Sequence, residues 1–390
     1  MQDFYSPTQP VHVRRATYGN RPQIEQAAAS LLSLLPAVQA LTPESRVLVK
    51  PNLLAKHSPE TAVTTHPDVL RAVILALHRR GVRHITVADS SGGIYTPSAM
   101  AAIYRACGIQ QVCEETGAAL YTACEFAPAP GKGTLVKEFN FIKPVFECDL
   151  IVNLPKLKCH VMTVLSGAVK NLFGLVPGLQ KAEFHMQFPQ KQHFGQMLVD
   201  LNLTLPPTVH LVDGILAMEG DGPSGGTPRQ TDLLFASQNP FTLDLCLCRY
   251  TGLAPMQVPT LAAAYQNGLC PERFEEELLH SETPEERQSF ASFTPPKSYS
   301  GPLNFSQQLP KILRPLVRLA EQWVSPRPVI RRAACIGCGK CAEICPQKVI
   351  TLHSRKAHIA YKNCIHCFCC HEMCPVKAIG VRRNPLVNHS

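Results

Sequence analysis

The feature that most constrains this chain is a run of cysteines that occurs twice near its C-terminal end. Each run has the spacing C-x2-C-x2-C-x3-C-P, and every cysteine of the second run follows its equivalent by 29 residues. The runs comprise Cys335, Cys338, Cys341 and Cys345, then Cys364, Cys367, Cys370 and Cys374. The same offset relates Lys348 to Lys377 and Ile350 to Ile379. Because the repeat covers more than the cysteines, it predicts a duplicated half-domain.

The spacing within each run favours a [4Fe-4S] cluster. Three thiolates, each separated from the next by two residues, wrap one face of the cubane, while the fourth comes from a distant segment. Zinc sites generally pair two C-x2-C units, so the spacing argues against zinc. Cys369 fits no position of the repeat, and we interpret it as a structural thiol.

The two runs resemble those of bacterial two-cluster ferredoxins, where the fourth cysteine of each run ligates the other cluster. The resemblance implies two [4Fe-4S] clusters in a small C-terminal ferredoxin-like domain. It assigns one cluster to Cys335, Cys338, Cys341 and Cys374, and the other to Cys364, Cys367, Cys370 and Cys345.

The composition predicts a globular, cytoplasmic protein of more than one domain, since 390 residues are long for one compact domain. The start of the chain has no signal-peptide core, and no stretch approaches the roughly 18 apolar residues of a membrane span. We therefore expect no membrane association. In a reducing cytosol the scattered cysteines remain thiols, and we interpret these as small buried hydrophobes: Cys107, Cys113, Cys124, Cys148, Cys246, Cys248 and Cys270.

The positive charge is concentrated at the end of the chain. The formal net charge is +9. From Arg327 onward the chain has eleven Lys or Arg residues but only two acidic residues, Glu343 and Glu372. No basic stripe with interleaved aromatic residues accompanies this charge, so we expect no nucleic-acid partner. An acidic electron-transfer protein such as a ferredoxin or flavodoxin, or an anionic substrate, explains the charge better.

The residues before the cysteine runs indicate an α/β fold. RVLVK, HPDVLRAVILALHRRG and HITVAD read as strand, helix and strand between residues 46 and 90, and the pattern recurs between 148 and 214. This alternation predicts a mostly parallel sheet with helices on both faces. We place the α/β domain at 1–270, a connector at 271–326 and the ferredoxin domain at 327–390. In the connector, Leu313, Leu316, Leu319 and Trp323 have the spacing of a helix that packs on the first domain.

The densest polar segment of the α/β domain is NLPKLKCHVMTVLSGAVKNLFG, residues 153–174. It follows a strand, at the sheet edge where open α/β folds bind ligands. Lys156, Lys158 and His160 are predicted in a loop, and Lys170 lies on a helix that begins near Met162 or Thr163. We expect these four residues to form one anion site that faces the clusters, for a phosphate or polycarboxylate rather than a small anion.

Several segments together resemble the domain of unknown function family 362, over about residues 10–260. They are VLVKPNLL (47–54), TTHPDVLRAVI (64–74), PKLKCH, GAVKNLFG, a stretch with His185 and His193, and VDGILAMEGDGPSGG (212–226). The family often carries a ferredoxin module, which the resemblance therefore implies here. It usually has Thr where this chain has Cys159, which we interpret as a packing residue.

The motifs supply a set of candidate site residues. They are Lys50, Asn52, Lys156, Lys158, His160, Lys170, Asn171, His185, Asp213, Glu219 and Asp221. Four lysines near strand ends favour a carboxylate or phosphate ligand. As an alternative, His160, His185 and Asp213 hold a metal ion.

Three functions follow from these observations. In the first, an iron–sulfur oxidoreductase passes electrons through two clusters to an anionic substrate in the α/β domain. In the second, the protein transfers electrons or binds a partner without substrate chemistry of its own. In the third, a non-redox enzyme carries structural clusters.

Overall fold

The computed structural model describes residues 4–298 and 326–382. Its strands are β1 (Val11–Arg15), β2 (Arg46–Pro51), β3 (His84–Val87), β4 (Ala119–Leu120), β5 (Phe126–Pro130), β6 (Glu138–Ile142), β7 (Leu150–Leu154), β8 (Lys156–His160), β9 (Val164–Ser166), β10 (Thr208–Glu219), β11 (Thr227–Ser237), β12 (Leu279–His280), β13 (Arg327–Ile330), β14 (Ile350–His353), β15 (Lys356–Ile359) and β16 (Ile379–Arg382). Its α-helices are α1 (Arg21–Ser33), α2 (Pro36–Gln39), α3 (Pro67–Arg79), α4 (Pro97–Ala106), α5 (Ile109–Thr116), α6 (Ala168–Asn171), α7 (Gln180–Gln187), α8 (Lys191–Thr204), α9 (Pro240–Thr251), α10 (Pro259–Gln266), α11 (Lys340–Glu343) and α12 (Cys369–Glu372).

A ten-stranded sheet organises the larger unit, in the order β12-β1-β11-β10-β7-β2-β3-β4, with β8 and β9 joined beside β10. The strands from β10 to β4 are parallel, whereas β11 is antiparallel to both of its neighbours. The prediction of a mostly parallel α/β sheet is therefore confirmed.

Both faces of the sheet are covered by helices, as its apolar strands require. In β2, the side chains of Val47 and Val49 belong to one core with α1 and α3, while Leu48 points into a second core with α8 and α9. This split follows from the alternation of side chains along a strand. The helix α3 begins where sequence signals predict, with the His66 side chain accepting the N–H of Asp68 and Pro67 in the first turn.

The smaller unit repeats its backbone with the 29-residue offset of the cysteines. Strand β13 pairs with β16 and β14 with β15, so each pair joins elements of both halves. Positive φ angles recur at equivalent positions, 70° at Gly337 and 51° at His366, then 79° at Gly339 and 62° at Phe368. Equal turns at equivalent positions mean that the two halves share one fold.

Part of the segment that we predicted as a connector lies against the sheet. Leu279 in β12 pairs with Val11 at the sheet edge, Phe293 is buried in the core, and Glu286 accepts the backbone N–H of Arg15. The domain boundaries at 270 and 326 stay a prediction. Leu313, Leu316, Leu319 and Trp323 lie outside the described residues.

No helix within residues 4–298 and 326–382 is long and apolar enough to cross a membrane.

Candidate functional site

An ion pair marks the carboxyl edge of the parallel strands. The Nζ of Lys50, near the end of β2, lies 2.8 Å from Oδ1 of Asp89, two residues after β3, and both side chains are buried. Lys50 also donates to the backbone oxygen of Pro51 at 2.7 Å. Burial lowers the pKa of Lys50, and the Asp89 carboxylate opposes that shift. Parallel strands thus bring two charges together at the edge that binds ligands in α/β folds.

The GAVKNLFG segment packs directly over this pair. A Cβ on Gly174 would overlap both the Asp89 carboxylate and the Lys50 ammonium, so this position needs glycine. A Cβ on Gly167 would overlap the carboxylate of Asp244, which accepts the N–H of Ala168 at 2.6 Å. The glycines of the motif therefore allow two close approaches to buried carboxylates.

A cavity of about 80 Å³ opens between the α/β unit and the cysteine-rich unit. The α/β side contributes Lys50, Asn52, Asp89, Ser90, Ser166, Lys170, Asn171, Lys181 and His185 among others, and the cysteine-rich side contributes Ile344, Cys369, Glu372 and Met373. Three lysines and two carboxylates thus surround one space. The site combines residues that are more than 300 positions apart in the chain.

Among the three lysines of this cavity, Lys170 is the one whose ammonium has no direct polar contact with the described residues. Within the described parts of the chain its ammonium makes no hydrogen bond or ion pair, and burial lowers its pKa although Glu372 opposes the shift. Lys181 instead donates to the backbone oxygen and hydroxyl of Ser90 at 3.0 and 3.1 Å. Burial lowers the pKa of Lys181 to about 7. The cavity therefore offers positive charge to a ligand.

His185 adds an unused polar atom. The ring is buried and stacks on Phe194 with centroids 4.4 Å apart, while its Nδ1 has no hydrogen-bond partner among the described residues. Burial lowers the pKa of His185 to about 4, so the ring is neutral at pH 7. A buried nitrogen without a partner is costly in a folded protein unless a ligand or water completes it.

His160 connects the α/β unit to the cysteine-rich unit. Its Nδ1 accepts the N–H groups of Met162 and Thr163 at 3.0 and 3.3 Å, which places the ring proton on Nε2. That Nε2 lies 2.9 Å from Oε1 of Glu372, in an orientation off the ideal for a hydrogen bond. Burial lowers the pKa of His160 to about 3. Burial alone would raise the pKa of Glu372, but the Nε2–H of His160 and the ammonium of Lys170 shift it downward.

Two further contacts hold the units together beside Glu372. The Nε2 of His371 lies 2.9 Å from the backbone oxygen of Asp221, and the Ser224 hydroxyl donates to the backbone oxygen of Glu372 at 3.1 Å. Ile344 and Cys369 also form a small apolar cluster with Ala182 of α7. The segment between two cysteines of the second run is therefore part of the wall of the cavity.

The structure separates the lysines that the sequence groups into one site. The predicted loop after β7 is instead strand β8, where Lys156, Lys158 and His160 share one face at intervals of about 7 Å. Lys156 donates to Asp213 at 2.9 Å and to the Tyr18 hydroxyl at 2.7 Å, away from the cavity. Because each side chain along the strand meets a different neighbour, the three do not converge.

The other predicted residues divide in the same way. Lys158 donates to Asn52 at 2.7 Å and lies just behind the cavity wall, and burial lowers its pKa to about 7. Asn171 accepts from Asn52 at 2.7 Å and lines the cavity. Two acidic residues lie elsewhere, Glu219 paired with Arg229 and Asp221 with Lys297.

The helix predicted near Met162 or Thr163 begins later. Strand β9 follows, and α6 starts at Ala168. The first N–H groups of α6 are used by Asp244, so this helix does not direct free N–H groups at an anion. Burial raises the pKa of Asp244 to about 7.

Several residues of the cavity carry little signal in the sequence. Asp89 and Ser90 end a predicted strand, which fits either a ligand contact or a turn. Lys181 lies outside every motif that we used, and Glu372 is hidden between cysteines. Comparison of the two repeats gives a partial signal, because Glu372 occupies the position of Glu343 29 residues earlier.

The cysteines of the two runs surround two separate cavities, each of about 20 Å³. One is lined by Cys335, Cys338, Cys341 and Cys374, and the other by Cys345, Cys364, Cys367 and Cys370, each with apolar side chains. Backbone N–H groups donate to two of the sulfurs, from Ala357 to Cys335 at 3.5 Å and from Ala378 to Cys374 at 3.1 Å. Each cavity thus has four thiols and apolar walls, which fits a [4Fe-4S] cluster, and both of these N–H donors serve the first cavity.

The alternative of a metal ion on His160, His185 and Asp213 finds no matching geometry. In residues 4–298 and 326–382, no three His, Cys, Asp or Glu side chains converge as ligands of a single ion. Asp213 is bound to Lys156, and His160 faces Glu372.

Comparison with known proteins identifies both units. The family described as "Domain of unknown function (DUF362)" matches residues 47–249, and a 4Fe-4S dicluster domain matches residues 334–378. The chain belongs to the DUF362 family. Its dicluster domain makes this DUF362 protein an iron–sulfur protein. The prediction of this pairing is confirmed.

The DUF362 chain is also similar to a curated protein, the thylakoid-associated protein sll1697 of Synechocystis sp. The two are 33% identical over 266 residues, which cover 64% of this chain and 79% of that protein.

Two solved structures share a weaker likeness. A structural-genomics protein from Thermotoga maritima aligns with a TM-score of 0.37 at 14% identity. The lactate racemase apoprotein from Thermoanaerobacterium thermosaccharolyticum aligns with a TM-score of 0.39 at 10% identity. The alignments cover 64% and 65% of this chain and 59% of each of those chains, so this protein spans less than two thirds of either.

Proposed function

We propose that this DUF362 protein is an iron–sulfur oxidoreductase that holds an anionic substrate in the cavity between its two units. One observation carries the proposal. Lysines of the α/β unit and the segment from Cys369 to Met373 line the same cavity, so a bound anion lies beside the cysteine-rich unit. A site for a partner protein alone would not need a buried, positively charged space at this place.

We assign the cluster ligands by the cavities that the thiols surround. Cys335, Cys338, Cys341 and Cys374 would hold one [4Fe-4S] cluster, and Cys345, Cys364, Cys367 and Cys370 the other. When bound, each cluster supplies or accepts one electron. Two such sites match the demand of a two-electron conversion of a small molecule.

The cavity residues divide the work of binding an anion. Within the described residues, Lys170 offers a cation without a direct polar contact, and His185 offers a ring nitrogen without a hydrogen-bond partner. Lys50 is neutralised by Asp89 and therefore fixes the shape of the wall more than it attracts charge. A ligand with two or more anionic oxygens would reach several of these groups at once, which favours a phosphate or polycarboxylate.

Two groups hold a proton near neutral pH, Lys181 in the cavity and His160 beside Glu372 of the cavity wall. Burial brings the pKa of Lys181 to about 7, so its ammonium can release a proton at physiological pH. His160 keeps its proton on Nε2, directed at Glu372, because Nδ1 accepts two backbone N–H groups. Reduction of a carbonyl or a double bond consumes protons as well as electrons, and Lys181 is the nearer source for a substrate in the cavity.

The experiment uses the anaerobically purified protein with its iron intact. The protein is reduced, excess reductant is removed, and a panel of phosphate esters and polycarboxylates, each with a ketone, aldehyde or carbon–carbon double bond that can be reduced, is screened for return of the oxidised iron–sulfur absorbance. Reoxidation by one of these anions supports an oxidoreductase. Failure of every anion to change the spectrum favours an electron-transfer or binding protein without substrate chemistry of its own.

Two variants with the same substitution localise the effect. Lys181→Met removes an amino group from the cavity. Lys137→Met removes an exposed amino group from the residue that precedes β6. We expect Lys181→Met to slow reoxidation by tenfold or more, about 1.4 kcal/mol, and Lys137→Met to leave it unchanged. Equal rates in both variants would place the reaction elsewhere.

We also propose a cytoplasmic location. Cell fractionation checks it, and recovery in the membrane fraction would instead match the description of the Synechocystis relative as thylakoid-associated.

A further inference from the structure

We propose that the exposed face over the first group of cysteines is the docking surface for an acidic electron-transfer protein. We call the site of Cys335, Cys338, Cys341 and Cys374 the outer site, and that of Cys345, Cys364, Cys367 and Cys370 the inner site. Electrons would then cross this unit between the outer face and the interdomain cavity. The proposal concerns electron exchange with a protein and holds whether or not the cavity binds a substrate.

The two sites differ in exposure although their sequences repeat. Cys338 is exposed, whereas within the inner site Cys345 and Cys370 are buried and Cys364 and Cys367 are only partly accessible. Phe368 beside the inner site packs against Val161 of the α/β unit. Docking on the α/β unit therefore covers one half of the repeat and leaves the other open.

The inner site is the one that adjoins the cavity. Cys369, which lies between Cys367 and Cys370 in the chain, lines the cavity together with Glu372 and Met373. None of the four cysteines of the outer site lines the cavity. The order from solvent to cavity is therefore outer site, inner site, substrate space.

The surface over the outer site is apolar at its centre. Ile336, Leu352 and Val376 line this site, and 54%, 44% and 39% of their surfaces are exposed. Large apolar side chains grouped at the surface mark an interaction site more often than isolated ones do. A partner that packs on these apolar side chains excludes water, which brings its redox centre closer to the outer site.

The rim of this surface is basic. Lys340, Arg355 and Lys377 are exposed. Lys340 lines the outer site, while Lys377 and Arg355 lie one and two positions in the chain from residues that line it. Residues 326–382 contain ten Lys or Arg and two acidic residues, of which Glu372 faces the cavity. An apolar centre with a basic rim complements an acidic partner and repels a second copy of this chain. The occupant is therefore an acidic redox protein.

The duplication supplies a matched pair of variants for the test. Lys377 lies beside the outer site and Lys348 occupies the equivalent position beside the inner site, both exposed, with φ angles of 51° and 52°. Lys377→Glu and Lys348→Glu therefore make the same charge change in the same backbone conformation. Because the two variants change the net charge equally, a difference between them does not come from net charge.

The assay is stopped-flow electron exchange with an acidic flavodoxin under anaerobic conditions, in whichever direction runs downhill. In one direction the anionic flavin hydroquinone loses one electron and becomes the neutral semiquinone, while one [4Fe-4S] cluster passes from the 2+ to the 1+ state. We expect Lys377→Glu to slow exchange by about tenfold at low salt and Lys348→Glu to change it by less than about twofold. The parent rate should fall as salt rises through the range where charges are screened.

Three results would overturn the proposal: no exchange with the parent, a rate indifferent to salt, or equal effects of the two lysine variants. A second pair tests the order of the sites, with Cys338→Ser in the outer site and Cys367→Ser in the inner site. The order of the sites is supported if Cys338→Ser no longer exchanges electrons with flavodoxin while dithionite still reduces its remaining cluster. Electron paramagnetic resonance detects that reduced cluster. Exchange at the parent rate in Cys338→Ser would refute the order. If either cysteine variant loses all iron, the lysine pair decides.

Discussion

Lys170 and Lys156 are predicted to respond in opposite ways to the same substitution. The sequence groups both into one anion site, but the structure places only Lys170 at the cavity. Lys156 is fully buried, and its Asp213 partner also accepts from the Tyr18 hydroxyl at 2.6 Å and from the His66 N–H at 2.9 Å. The perturbation is methionine at each lysine, which keeps most of the side-chain length and removes the charge.

The expected magnitudes follow from these surroundings. Lys170→Met loses one charge-assisted hydrogen bond to a bound anion, roughly 1.5–3 kcal/mol, or about 10- to 150-fold in Kd. The fold should be as stable as the parent or more so, because burial already lowers the pKa of this ammonium and so disfavours its charged form. Lys156→Met leaves the Asp213 carboxylate buried without its cation, which costs roughly 3–5 kcal/mol.

The assay pairs binding with stability in each variant. Anaerobic titration calorimetry with phosphate and citrate measures Kd, thermal unfolding measures Tm, and iron content controls for loss of the clusters. At roughly 2–4 °C per kcal/mol, Lys156→Met should lower Tm by about 6–20 °C. Parent-like binding in Lys170→Met, or parent-like Tm in Lys156→Met, would refute the assignment of these two lysines.

Three further predictions follow from the same structure. Anaerobically prepared protein should contain close to eight iron and eight acid-labile sulfide per chain by elemental and colorimetric analysis, and stoichiometric zinc without sulfide would contradict it. Gly174→Ala should lower the free energy of unfolding in urea by about 3–5 kcal/mol, because its Cβ separates Lys50 from Asp89. Gly380→Ala should change that free energy by less than about 1 kcal/mol, because its Cβ meets no atom of the described residues within 4 Å. His160 has a pKa of about 3 in the fold against an ordinary 6.5, so the unfolded chain takes up the proton first, and the free energy of unfolding falls as pH drops from 6.5 towards 3. His160→Gln should reduce the slope of the free energy of unfolding against pH by up to about 1.4 kcal/mol per pH unit, and equal slopes in parent and variant would contradict the assignment.

The sequence predicts the architecture well because its signals are local. The apolar run of β2 and the capped helix α3 follow from residues close together in the chain, and the cysteine runs define their own unit by spacing. The sheet edge with Lys50 also follows, since strand ends gather ligands in such folds.

The site is predicted only in part because it is assembled over long distances. Lys181 and Glu372 reach the cavity from elements that no spacing rule links to GAVKNLFG. The prediction of a loop at β8 is wrong because three polar residues in five suggest exposure to solvent. In the structure the strand is buried, and each of its polar side chains has a partner that offsets the cost of burial. Polar patterning reports exposure reliably only where a chain has no buried hydrogen-bond network to join.

The contact between the cysteine-rich unit and the α/β unit places different constraints on the two halves of the repeat. Glu343 and Glu372 end equivalent helices, yet Glu343 lies in water and Glu372 lies 2.9 Å from His160. A substitution at position 343 alters only the surface, so we expect this position to vary among relatives. A substitution at position 372 breaks a contact across the two units, so we expect it to vary only in step with position 160.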